Sequence, residues 1–153
     1  MRVERRLAEL KMALVPAAPP TGTYVLAKRA GDLLYLSGND PQYPDGTLAK
    51  GKLGAGMTVE EGYRHARQLG LVLIAAMKEA LDGDLDRIVE IVKLLGMVNA
   101  APDFEAHAEV VAGCSDLFLE VFGERGRHAC SSVGMSSLPA GIPVEIEVIV
   151  AVR

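Results

Sequence analysis

Residues 144–152 read VEIEVIVAV, with an apolar residue at every second position. Alternation this strict suits a β-strand, whose successive side chains leave on opposite faces; a helix would scatter the same pattern around its axis. The chain is thereby committed to a sheet. Val144, Ile146, Val148, Val150 and Val152 share one face of that strand, and Glu145 and Glu147 share the other. The pattern itself leaves open which face lies against the rest of the chain.

Two helical segments are available to cover such a sheet. Thr58-Val-Glu-Glu61 fits a capping box, in which Thr58 accepts from the Glu61 amide and Glu61 reaches back. From there Val59, Tyr63, Ala66, Leu73, Met77 and Ala80 recur at helical spacing to about Leu81, where Asp82-Gly83-Asp84 stops the helix. Residues 69–77 are apolar nearly all round, so this helix must be covered on more than one side. A second helix is predicted from about Phe104, with Asp103 as its cap. Its apolar stripe is Val110, Cys114, Leu117, Phe118 and Val121, and Gly123 ends it. Val3, Leu7 and Leu10 predict a short amphipathic helix over residues 1–12.

Further strands are predicted at 24–30 and 33–38, joined by the tight Ala30-Gly31-Asp32 connection. Residues 88–98 are rich in β-branched side chains and suggest a strand buried on both faces, although Glu90 and Lys93 fit a helix equally well. Residues 128–138 read as a strand of small residues. Residues 15–23 hold three of the eight prolines and must be extended or turn-like. Residues 39–56 form a polar loop, long enough to suggest a functional one. The order helix, β, β, α, β, α, β, β predicts an α+β sheet with two helices packed on one face. The other sheet face is then bare, which implies oligomerisation.

At 153 residues the chain is expected to be a single domain, 1–153, able to bury a core without disulfides. Half of it is hydrophobic and 24% is charged, which excludes a disordered chain. The longest apolar run, 71–77, is far short of the roughly 20 residues of a membrane span. The opening MRVERRLAEL has charge but no apolar stretch behind it, so no secretory signal is expected. Two cysteines exclude a disulfide framework and point to a reducing, cytoplasmic setting. The net charge of −4, the absence of tryptophan and the lack of any five-residue basic cluster argue against nucleic acid as the main partner.

Among candidate chemical groups, Glu145 and Glu147 stand about 7 Å apart on their shared face. They fit either the solvated side of a half-buried sheet or a carboxylate held at a subunit interface, its pKa raised by burial enough to handle a proton. In the preceding strand His128, Cys130, Ser132 and Gly134 share a face; such small polar residues suit a polar edge or a ligand pocket. A thiolate pair of Cys130 with His128 is disfavoured, because residues two apart on one face are spaced rather than bonded. His65 and His107 are expected at the surface and Cys114 in the core. No Cys/His spacing suits zinc. Gly51, Gly54 and Gly56 make no phosphate cradle, since no strand runs directly into them.

The segments YVLAKRAGDLLYLSGNDP, EEGYRHARQLGLVLIAAM, GMVNAAPDF, GCSDLFLEVFGERGRHACSSVGMSSLP and PVEIEVIVAV resemble, in order and spacing, the RidA/YjgF/UK114 family. The closest branch is one with an added N-terminal helix and a VGxxxLPxGxPVE ending. The resemblance implies a chorismate-mutase-like α+β fold and a homotrimer whose sheets form a central barrel. It also implies small-molecule clefts between subunits, no metal or organic cofactor, and hydrolysis of reactive enamines or imines to 2-keto acids and ammonia. Carried over residue by residue, the family's tyrosine falls on Tyr24, its pocket-lining serine–glycine turn on Ser37 and Gly38, and its acidic residue on Glu145, where it would activate water. The family arginine that grips the substrate carboxylate falls on Cys130, which cannot form that bidentate contact. A cysteine common in the family is Ser132 here, and an asparagine of the second helix is Ala112. Arg127 is close in sequence, but alternation aims it at the other face.

Three functions remain to be told apart. The first is an enamine or imine deaminase with altered substrate, and the second a non-catalytic trimer binding a small metabolite in the same clefts. The third, RNA cleavage under the family's older endoribonuclease label, is opposed by the acidic balance and the missing basic patch.

Overall fold

The computed structural model describes residues 2–153; Met1, at the start of the expected first helix, lies outside the described residues. In chain order the elements are α1 (Arg2–Glu9), β1 (Ala27–Ala30), β2 (Leu33–Leu36), β3 (Lys52–Leu53), β4 (Gly56–Met57), α2 (Val59–Ala80), β5 (Ile88–Asn99), α3 (His107–Phe122), β6 (Ala129–Met135) and β7 (Val144–Val152). Five strands make one mixed sheet in the order β1-β2-β7-β5-β6, antiparallel except for the parallel pair β5–β6. β3 and β4 make a separate two-residue pairing inside the long loop. Helices α2 and α3 pack on one face, giving the α+β architecture expected.

The alternating strand now has a direction. Val144, Ile146, Val148, Val150 and Val152 are each no more than 2% exposed and lie in the core with Leu69, Leu73, Met77, Leu117 and Phe118 of the helices. Glu145 and Glu147 therefore point to the open face. That face also carries Tyr35, Leu95, Met97, Val133 and Ile149, none of them buried. Strand β5 is accordingly buried on one face within the chain, not on both, and Val89 and Val92 are exposed where its register with β7 shifts.

Local chemistry explains most boundaries. The Glu61 amide donates to Thr58 Oγ1 at 3.2 Å, the forward half of the capping box. Thr58→Ala should cost about 1 kcal/mol of stability, measurable by urea denaturation at fixed protein concentration. At the other end of α2, the Gly83 amide donates to the Lys78 carbonyl at 2.8 Å, with Gly83 at φ +90°, a conformation that favours glycine. Helix α1 is held at its start by the Asp86 carboxylate, which accepts from the Arg2 and Val3 amides at 2.8 and 3.0 Å; these bonds hold its pKa well below the usual carboxylate range. Helices α2 and α3 approach so closely at Gly113 that a methyl group there would overlap the Tyr63 carbonyl.

Several expected bounds move. The strand predicted at 24–30 begins only at Ala27, because Val25 and Leu26 bond to Ser37 outside the ladder: their carbonyls accept from Ser37 Oγ and N at 2.7 and 2.9 Å. Helix α3 starts at His107, not near Phe104, and Asp103 does not cap it: the Phe104 amide closes a turn onto the Ala101 carbonyl at 3.0 Å. The first helix ends at Glu9. The loop 39–56 is well tied. Its turn at Tyr43–Gly46 is closed by a 2.9 Å bond, and Gly51 N–H donates to the Gly141 carbonyl at 3.0 Å.

Candidate functional site

The structure divides the expected site residues between two surfaces. Glu145 pairs in register with Met97 on the open face of the sheet. Cys130 and Ser132 pair with Leu94 and Gly96, whose neighbours are the helices. Within one chain, the two groups therefore face opposite ways.

The first surface is built on the end of β2. Beyond Leu36 the chain continues beside β7: Asn39 N–H donates to the Ile146 carbonyl at 3.0 Å and Ile146 N–H to the Asn39 carbonyl at 3.2 Å. Asn39, 4% exposed, also donates from Nδ2 to the Ser37 carbonyl at 3.0 Å. These bonds fix Ser37 and Gly38 against Glu145. The approach is close enough that a side chain at Gly38 would collide with the Glu145 carboxylate. Ser37 Oγ spends its proton on the Val25 carbonyl at 2.7 Å, leaving its lone pairs as acceptors. Tyr24 lies in the irregular segment before β1 and is 51% exposed.

Glu145 itself is half-buried and makes no hydrogen bond or ion pair with any described residue. Burial, then Asp40 and Glu147 nearby, push its pKa above the ordinary value. Each cause opposes ionisation, so the group is poised to take up a proton nearer neutrality than a surface glutamate.

The second surface is the outer edge of β6. Cys130 is exposed, with its Sγ 3.7 Å from Ser132 Oγ. His128 offers Cys130 no base, since Nδ1 lies 2.6 Å from the Gly126 carbonyl and Nε2 2.8 Å from Ser115 Oγ. Arg127 does not replace the family arginine; its guanidinium forks onto Glu124, with both contacts at 3.0 Å. Cys114 is fully buried, and burial pushes its thiol pKa well up, with Cys130 adding to it. Around Cys130 this edge therefore supplies thiol and hydroxyl donors, while Arg127 is held by Glu124.

Two histidines expected at the surface are half-buried. His65 Nδ1 meets Tyr43 Oη at 2.6 Å, and Gln68 Nε2 donates to the Gln42 carbonyl at 2.9 Å, so α2 clamps the long loop. Burial holds the His65 pKa below its ordinary value, with Arg64 acting in the same direction. His107 packs edge-on against Phe104, with ring centroids 5.2 Å apart. The sequence pattern does not mark Asn39, Lys52 or Asn99. Polar residues in or beside loops carry no periodicity, and only their burial and bonding mark them.

Comparison with known proteins gives the family and the fold. The family model "YjgF/chorismate_mutase-like, putative endoribonuclease" matches residues 4–141. The chain is 43% identical over 150 residues to Protein TCP17 of Trypanosoma cruzi, covering 97% of this chain and 93% of that protein. It superposes on the crystal structure of Atu1372 from Agrobacterium tumefaciens, a protein of unknown function, with a TM-score of 0.90 and 38% identity, covering 99% and 94% of the two chains. RidA from the Antarctic bacterium Psychrobacter sp. PAMC 21119 is similar at 25% identity and a TM-score of 0.56, with 89% and 94% covered. The chain belongs to the YjgF/RidA family and has its chorismate-mutase-like α+β fold. No helix among the described residues is long and apolar enough to cross a membrane.

Proposed function

We propose that the protein hydrolyses a reactive enamine or imine derived from an amino acid, giving a keto acid and ammonia, and that it works as a homotrimer in the cytoplasm. The observation that carries this reading is Glu145: a half-buried carboxylate with no hydrogen-bond partner, packed over Gly38 at the rim of an uncovered sheet face. The division of the site residues between two surfaces supports an assembly in which the Cys130–Ser132 edge of one chain completes the Ser37–Glu145 surface of the next. The bare apolar face around Tyr35, Leu95 and Val133 gives that assembly its driving force.

In this reading an enamine first tautomerises to the imine, its methylene carbon gaining a proton as the amino nitrogen loses one. Glu145 takes a proton from water as the oxygen attacks the imine carbon; the π pair of the C=N bond passes to nitrogen, which receives that proton from Glu145 to give the carbinolamine. Glu145 then takes the hydroxyl proton as C=O forms and passes it to the amino nitrogen as C–N breaks, so that ammonia leaves and the carboxylate is restored. Tyr24 and Ser37 would orient the substrate. Its carboxylate meets Cys130 and Ser132, which bind it as weak neutral donors in place of a guanidinium fork.

The experiment is ammonia release from 2-aminoacrylate generated in situ, with light scattering for the trimer. Hydrolysis weaker than that of arginine-bearing relatives is expected, and Cys130→Arg should raise kcat/KM on this substrate by about tenfold. Absence of turnover on every enamine tried, with saturable binding of the keto acid, would favour a second reading: a metabolite-binding trimer without catalysis. The missing cation at position 130 is the observation on that side.

A further inference from the structure

The outer side of α2 carries a polar arrangement that the Glu145 site does not use. Arg64, Gln68 and Leu71 follow one another at one-turn intervals, opposite the buried Ala66, Leu69 and Leu73 that face the core. Met12 approaches this side from the segment after α1, and Tyr43 from the long loop. Together with His65, Arg67 and Leu117 these side chains line a cavity of about 410 Å³.

The polar wall of the cavity presents donors. The 2.6 Å contact between Tyr43 Oη and His65 Nδ1 fixes the tautomer of the imidazole. The Tyr43 hydroxyl has no other acceptor among the described residues, and burial and Arg64 both oppose a charge on His65. The hydroxyl therefore donates to Nδ1, and His65 carries its proton on Nε2, which has no partner among the described residues. Arg64 makes no hydrogen bond or ion pair with any described residue, although its charge reaches both His65 and Tyr43. Arg67 is tied through one guanidinium nitrogen to Glu120 of α3. Two guanidiniums and an imidazole N–H thus line one cleft with apolar walls, in a chain whose net charge is −4.

We infer that this cavity binds a phosphate monoester whose ester group is small and apolar or aromatic. The three terminal oxygens of such an ester can take the Arg64 fork and the His65 Nε2–H together, and its second charge meets Arg67. A carboxylate has two oxygens; the fork would occupy both and leave the imidazole N–H unpaired. Met12, Leu71 and Leu117 suit the ester group, and the volume suits a small ligand. The bond from Tyr43 to His65, and that from Gln68 to the Gln42 carbonyl, hold this wall in place before a ligand arrives. None of the lining residues lies on the Glu145 surface or on β6, so the site is independent of the hydrolase reading.

The test is a titration of the full chain with phenyl phosphate, followed by backbone amide NMR shifts near pH 7.5, where a monoester carries close to two charges. Phenylacetate supplies the ring with a carboxylate, and inorganic phosphate the anion without the ring. Phenyl phosphate should bind with a Kd of about 0.1–1 mM and shift the amides of residues 12, 43, 64–68 and 71; the other two should bind at least about fivefold more weakly. Arg64→Met should weaken phenyl phosphate binding at least about tenfold, and Arg64→Lys should lose less. Equal binding of phenylacetate or of inorganic phosphate, no saturable shift, shifts gathered around Ser37 and Glu145 or along β6, or unchanged binding by Arg64→Met would each overturn the inference. Arg64 is exposed and makes no bond within the chain, so its replacement leaves the fold intact, and the three-ligand contrast uses the unmodified protein.

Discussion

Glu145→Gln should lower turnover of an enamine substrate by roughly a hundredfold while leaving the fold intact, the loss typical of removing a general base. Glutamine keeps the size and the place over Gly38, so the loss reports the missing base. Glu147→Gln, on the same face one pair along, is the control and should cost far less. The pH profile sharpens the test. The Glu145 pKa is raised from its ordinary 4.5 by burial, Asp40 and Glu147, so kcat/KM should climb with pH through an inflection above 4.5. Asp40→Asn should move that limb to lower pH, and Glu145→Gln should abolish it. Stability carries the opposite sign. A carboxyl that binds its proton more tightly when folded helps the folded state at low pH, and that help is lost as pH rises from 4.5 through the folded value. Equal and small effects of the two glutamine variants would remove the best residue of the hydrolase reading.

Gly113→Ala should destabilise the protein by about 2 kcal/mol or more. The new methyl would overlap the Tyr63 carbonyl and stand 2.9 Å from Arg67 N, so relief requires α2 and α3 to move apart. Overpacking of this kind costs about 3 kcal/mol, and the better helix propensity of alanine returns about 1 kcal/mol. A fall in Tm of roughly 4–8 °C at fixed protein concentration is the expected result. No change in Tm would mean that the helices can separate without loss, contrary to the burial of Leu69, Val110 and Leu117 around the crossing.

The parts of this protein that repeat are the parts that can be read from the chain. The period of two in β7 and the Thr58 cap of α2 give their elements with nearly the right bounds, since each is a local agreement between pattern and backbone. The direction of β7 is not local. It depends on β2 and β5 lying on either side, and the sequence does not say which face of that trio the helices cover. Asp103 has the chemistry of a cap, but the turn from Ala101 to Phe104 takes its place. The site is legible only in part. Glu145 stands out as a carboxylate alternating with the apolar residues of β7, Cys130 and Ser132 as part of a small polar face, and Ser37, Gly38 and Tyr24 follow from resemblance alone. Asn39 and Asn99 become visible only once their amides are seen buried and hydrogen-bonded.

The place of β7 between β2 and β5 also bears on how the protein is made. Translation delivers β2 early and β5 midway, yet the strand that joins them into one sheet comes after both, a wait on the order of 10 s at ordinary elongation rates. Until residues 144–152 have left the ribosome, the inner faces of α2 and α3 have only part of a sheet to rest on, and the facing backbones of β2 and β5 are open to other strands. Shielding of those surfaces during synthesis should therefore raise the yield of folded chain. Codon choices that slow the final stretch should lower the soluble yield more than the same pauses placed before Leu36.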